Sequence, residues 1–178
     1  MANWKELKNY LKDEDLFVAV KKAFEDLYTN DEYLICNKPS KTEDKEQLGS
    51  HHVGERAIVF RFALYLQNEL LKSKKYALYN LDCEYNRNKS NPKTLPNFPN
   101  GVYPDLIIHK RDNNDDNLLV IEFKTYWNKA HTSVENDKKK VNQLMYDPYN
   151  YSYGLVVIVE RTIDELQIIQ ITGKEVLD

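Results

Sequence analysis

Apolar positions along the chain follow two periods. Leu16, Phe17, Val20, Phe24, Leu27 and Tyr28 recur at helical spacing, which predicts an early helix capped by Asp13 or Asp15. A longer helix is predicted from about residue 52 to 72, where Val53, Ala57, Phe60, Ala63, Leu64, Leu70 and Leu71 make a broad apolar face. The period then drops to two. Tyr79, Leu81, Cys83 and Tyr85 alternate with Asn80, Asp82 and Glu84, as on a half-buried strand. Residues 102–109 and 118–125 are near-continuous apolar runs, the mark of strands covered on both faces. Residues 134–145 read as a helix begun by Ser133 or Asp137, and 155–159 and 166–171 as two final strands. The order is an early helix, then α-β-β-β-α-β-β: a mixed α/β domain with a central sheet.

Two polar stretches punctuate this order. Residues 38–47 (KPSKTEDKEQ) read as a linker or mobile loop, and 86–101, with three prolines and five asparagines, as a long loop. The first marks off a helical extension over 1–48 from a main domain over 49–178. Charge follows the same division: residues 1–48 hold 8 basic and 11 acidic residues, whereas 49–178 hold 17 of each. The whole deficit of three therefore lies outside the main domain.

Composition removes several function classes. At 178 residues, 42% hydrophobic and 12% aromatic, the chain builds one core, and no run approaches the ~20 apolar residues of a membrane span. The first ten residues, MANWKELKNY, are too charged for a secretion signal, so a cytoplasmic location is expected. Cys36 and Cys83 match neither a disulfide framework nor a four-ligand zinc site. None of His51, His52, His109 and His131 has the HExxH spacing; the first two flank a helix and His109 reads as a strand-end surface residue. With five glycines and no phosphate-cradling or nucleophile-elbow motif, nucleotide-binding and serine-hydrolase chemistry are poor fits.

The remaining chemistry sits on two strands. Glu122 and Lys124 are two apart in a buried run, so both side chains leave the same face. Burying that pair among Val120, Ile121 and Phe123 costs several kcal/mol unless the charges pair or meet a metal. Asp105 opens the preceding strand, where antiparallel pairing brings it near Glu122. Converging carboxylates repel, and an oxygen-preferring divalent cation relieves the repulsion; the bland alternative is a structural ion pair. A lysine beside such a cation orients water or neutralises charge developing on phosphate.

Pro104-Asp105, a spacer and then Glu122-Phe123-Lys124 on the next strand resemble the PD-(D/E)xK signature of restriction-endonuclease-like nucleases. That resemblance implies their α-β-β-β-α-β core and a metal-dependent nuclease acting on DNA, less readily RNA, in restriction, repair or mobile-element defence. It implies that Asp105, Glu122 and the Phe123 carbonyl bind Mg²⁺ (or Mn²⁺) and that Lys124 positions the attacking water. Glu55 fits the extra glutamate some members carry on the helix before the sheet. Asp137, Lys140 and Gln143 are candidates for the polar residue many carry on the helix after the motif. Gly54-Glu55-Arg56, Arg61, Tyr65-Leu66, the run DCEYNR over 82–87 with Pro92-Lys93, and NLLVIEFK over 117–124 are similar to an uncharacterised bacterial group within that superfamily. The alternative is an inactive module of the same fold that binds nucleic acid or a protein partner. A homodimer or a partner from a defence system is also compatible.

Basic residues cluster on the long loop. Arg87, Lys89 and Lys93, with Lys72, Lys74 and Lys75, are expected to form a positive rim that receives nucleic acid, together with Lys140 and Gln143. Glu84 reads as solvated or bonded to Arg87. Tyr146, Tyr149, Tyr151 and Tyr153 pack on the sheet or stack on bases.

Overall fold

The computed structural model describes residues 3–36 and 53–173. His51, His52 and the 38–47 linker lie outside the described residues. Helix α1 (Trp4–Leu11) is capped by Asn3, and α2 (Glu14–Asn30) by Asp13, whose carboxylate accepts from the Leu16 N–H at 3.2 Å. A short α3 (Glu32–Ile35) follows. After α4 (Glu55–Leu70) come β1 (Asn80–Cys83), β2 (Arg87–Asn88), β3 (Asn91–Pro92), β4 (Leu106–His109) and β5 (Leu119–Thr125). Helix α5 (His131–Leu144) then leads to β6 (Tyr153–Val159) and β7 (Gln167–Ile171).

Five strands make one mixed sheet in the order β1-β4-β5-β6-β7. Only β5 and β6 run parallel, joined by α5; the other neighbours are antiparallel. Alternation along the strands gives each face its own core. Leu119, Ile121 and Phe123 of β5 join Leu106 and Ile108 of β4 beneath α1–α4. Val120 and Ile107 point the other way, against Val134, Val141 and Leu144 of α5. By that parity Glu122 and Lys124 belong to the α5 face, as does Asp105 just ahead of β4.

The early helices belong to the main core. Leu7, Leu11, Leu16, Val20, Phe24 and Leu27 are fully buried in the cluster that holds Ile58, Phe62 and Phe123. Residue 48 therefore divides the charge of the chain but not its hydrophobic interior. Tyr10 ties α1 to the sheet by donating to the Ile171 carbonyl at 2.7 Å and accepting from the Gly154 N–H at 2.9 Å. Gly154 is glycine for want of space, since a Cβ there would lie 2.5 Å from Val141 and 2.6 Å from Met145.

Several sequence expectations need correction. Helix α4 starts at Glu55 and buries Ile58, Val59, Phe62, Ala63, Leu66 and Leu70, leaving Phe60, Leu64 and Leu71 exposed. It is apolar around most of its girth, so spacing alone did not select the face that meets α2 and the sheet. Helix α5 begins at His131 without a side-chain cap, rather than at Ser133 or Asp137. Strand β4 spans only Leu106–His109, and the long loop contains the small β2–β3 hairpin.

His109 is buried rather than superficial, because it meets a charge partner. Its Nε2 lies 2.9 Å from Asp82 Oδ2, and Arg111 Nε donates to the same oxygen at 2.9 Å. Burial opposes the Asp82 charge, but these hydrogen bonds outweigh it and hold the carboxyl well below its usual 3.8. A carboxyl with a depressed folded pKa contributes stability above its unfolded pKa and loses it as pH falls through the folded value. Asp82→Asn is therefore expected to cost about 1–3 kcal/mol at pH 7. Unfolding midpoints measured from neutral to strongly acid pH should show the gap to wild type closing as Asp82 protonates. A gap that stays constant would assign the loss to shape rather than charge.

Candidate active site

The register of the sheet builds the site. Leu106 faces Ile121 across β4 and β5, which sets Asp105 opposite Glu122. Asp105 Oδ2 accepts the Phe123 N–H at 2.7 Å, so the residue ahead of β4 extends the ladder with its side chain. Two residues on, Lys124 donates to the Phe123 carbonyl at 3.0 Å and reaches Asp137 Oδ2 of α5 at 2.8 Å and Glu55 Oε1 of α4 at 3.6 Å. Lys140, one turn beyond Asp137, pairs with Glu122 Oε2 and lies 3.9 Å from Asp137 Oδ1. Two helix segments and two strands thus converge on one point.

Charge at that point is unbalanced. Four carboxylates, Glu55, Asp105, Glu122 and Asp137, surround two ammonium groups, Lys124 and Lys140. Glu122 is 1% exposed, and its Oε1, like Glu55 Oε2, has no hydrogen-bond partner among the described residues. Burial, reinforced by Asp105, pushes the Glu122 carboxyl well above its ordinary range. Burial likewise raises Asp105, against the pull of the Phe123 N–H, and raises Glu55, against the pull of Lys124. For Lys124 burial acts against the charge, but Asp137 and then Glu55 outweigh it and the pKa rises. The cluster is short of positive charge.

That deficit bears on a metal. Among the described residues no three His, Cys, Asp or Glu side chains are gathered as a ready metal cluster. Lys140 bridges Glu122 and Asp137, while Lys124 bridges Glu55 and Asp137. In kind the donors still fit a hard divalent cation, because every candidate donor is oxygen and two buried carboxylate oxygens lack a partner among the described residues.

The structure brings together Glu55, Asp105, Glu122, the Phe123 carbonyl, Lys124 and Lys140, and it disperses the expected rim. Lys93 is 2% exposed, with its Nζ 3.0 Å from the Tyr151 hydroxyl and facing the rings of Tyr85, Tyr149 and Tyr151. Burial brings its pKa down to about 8. It is an interior residue and not a surface contact for nucleic acid. Lys140 is likewise turned inward onto Glu122. Gln143, one turn further along α5, is half-buried, and its Oε1 has no partner among the described residues. Arg87 and Lys89 are exposed on the hairpin. Lys72 pairs with Glu69 and Lys75 with Asp13, and α4 carries them about 24 Å from Glu55 at its other end. Glu84 pairs with Arg56 rather than Arg87.

Sequence reasoning missed a cleft beside the carboxylates. Glu55, Arg56 and Phe60 of α4, with Glu84, Tyr103 and Asp105, line a space of about 570 Å³. The apolar face that the spacing predicts for α4 includes Phe60, and the one signal the sequence offers for Tyr103 is its place directly before Pro104-Asp105. Comparison of the chain with family models, curated proteins and solved structures finds no match. No helix among the described residues is long and apolar enough to cross a membrane.

Proposed function

We propose that this chain is a divalent-metal-dependent nuclease with a restriction-endonuclease-like core, hydrolysing phosphodiester bonds in DNA or, less favourably, RNA. The observation that carries the reading is the convergence of Asp105, Glu122 and Lys124 on one sheet face, with a buried Glu122 oxygen that has no partner among the described residues. The order α4-β1-β4-β5-α5-β6 accords with such a core. Asp105, Glu122, the Phe123 carbonyl and Glu55 would hold Mg²⁺, or Mn²⁺ in its place. That ion supplies an activated water and stabilises charge on the phosphate. Lys124 would orient the water through Nζ and offset negative charge as the phosphorus is attacked. Asp137, 2.8 Å from that Nζ, keeps Lys124 protonated and aimed.

A second reading has its own support. Because Lys124 and Lys140 already bridge the acids, an inactive module of this fold that binds nucleic acid or a protein partner is its rival. Incubation of plasmid, linear DNA and RNA with Mg²⁺ or Mn²⁺ separates the two. The nuclease reading expects metal-dependent degradation, lowered roughly 100- to 1,000-fold in Lys124→Ala. Undiminished cleavage by that variant would remove the assignment. Absence of Mn²⁺ binding by calorimetry, with nucleic-acid binding intact, would favour the module.

A further inference from the structure

We infer that the cleft beside the acidic centre is a stacking site for an unpaired nucleobase, so that the substrate is single-stranded nucleic acid or a frayed strand end rather than intact duplex. The inference rests on the nuclease reading only for what happens at the phosphate. Three observations carry it.

The cleft opens directly onto the proposed chemistry, since Glu55 and Asp105 form part of its wall. Its other walls present two large aromatic side chains to solvent, Phe60 at 58% and Tyr103 at 57% exposure. Leaving them wet forgoes apolar burial that a flat apolar ligand recovers. Phe60 lies one helical turn from Arg56, so the ring and the guanidinium share one side of α4. Its capacity, about 570 Å³, is that of a small-molecule site rather than a duplex groove.

The third observation concerns charge. Gripping a duplex without base contacts takes a row of cations, one for each phosphate neutralised. Arg56 is the one cation among the described residues lining the cleft, and it already pairs with Glu84. Lys93 is interior, Lys72 and Lys75 are paired near the far end of α4, and Arg87 and Lys89, though exposed on the hairpin, do not line the cleft. Single strands are held differently, by bases stacked on aromatic rings with a few charges beside them. The geometry matches the second mode. A base between Phe60 and Tyr103 would place its adjoining phosphate toward Asp105 and Glu122.

The test uses the full chain and a short single strand carrying 2-aminopurine, with Ca²⁺ in place of Mg²⁺. Stacking is expected to quench the probe's fluorescence, and the single strand should bind at least about tenfold more tightly than the same sequence as duplex. Tyr103→Ala and Phe60→Ala should each weaken single-strand binding about tenfold, whereas Tyr103→Trp should retain it. Both positions are exposed, and thermal melts verify that the variants fold. No quenching, or binding indifferent to both alanine variants, would overturn the inference. If duplex is then still cleaved with Mg²⁺, the nuclease reading stands without it. Quenching that depends on Tyr103, with no cleavage in Mg²⁺ or Mn²⁺, would retain the base site and remove the nuclease.

Discussion

Glu122→Gln is expected to lower metal-dependent phosphodiester hydrolysis by roughly 1,000-fold or more while leaving the fold no less stable. The two halves of that result come from one geometry. Glutamine keeps the shape of the side chain, and its amide oxygen can still accept from Lys140. What it loses is a negative charge held in a dry interior, where one oxygen has no partner and burial drives the carboxyl toward its neutral form. Sequestering a charge there costs several kcal/mol before its partner repays any of it. A residue kept for stability should not look like this; one kept to bind a cation should.

Single-turnover rates in Mg²⁺, set beside thermal melts in EDTA, measure both halves. Mg²⁺ should also raise the melting temperature of the wild type, as any ligand of the folded state does, and leave Glu122→Gln unmoved. A variant that instead loses several kcal/mol in EDTA would show that the pair with Lys140 is structural. In that case the buried acid serves the sheet and not the chemistry.

Phe62→Ala should produce the largest loss of stability, about 3–5 kcal/mol. Its ring is fully buried, 4.3 Å from Phe24 of α2 and 5.2 Å from Phe123 of β5 between centroids. Three elements distant in sequence meet at this one side chain. Removing it leaves a void that rigid neighbours on two helices and a central strand fill poorly. Urea unfolding with an unchanged slope and a lower midpoint would record the loss. A cost below about 1 kcal/mol would mean that α2 does not pack on α4 as described. Because Phe123 supplies the proposed carbonyl ligand, weakened metal binding should accompany the lower midpoint.

The acidic centre was far more legible in the sequence than its surroundings. A carboxylate and an ammonium two positions apart in an apolar run violate the rule of a buried strand, and local spacing is enough to see it. Asp105 needed only antiparallel pairing, the commonest arrangement for neighbouring strands. Glu55 is legible only through the resemblance, as an acid near the start of the helix before the sheet. Which side of that helix faced inward was not visible, because α4 offers apolar residues on several sides and only its neighbours decide among them. Lys93 failed for a related reason. Composition marked its loop as polar and exposed, yet Tyr149 and Tyr151, more than fifty positions later, fold over it. The basic rim was an inference from proximity in sequence, whereas the positions of lysines in space depend on the length of a helix and on remote partners.

The buried Lys93 also changes how the loop behaves mechanically. Its ammonium meets the Tyr151 hydroxyl, its backbone N–H donates to the Asn86 side chain, and the Tyr149 hydroxyl exchanges hydrogen bonds with Thr94. The loop is riveted to the segment entering β6 at its midpoint rather than hinged at its ends. Val102, whose N–H donates to the Lys93 carbonyl at 2.8 Å, carries that anchorage to the residue before Tyr103, so one jamb of the cleft is tied to the pinned midpoint of the loop.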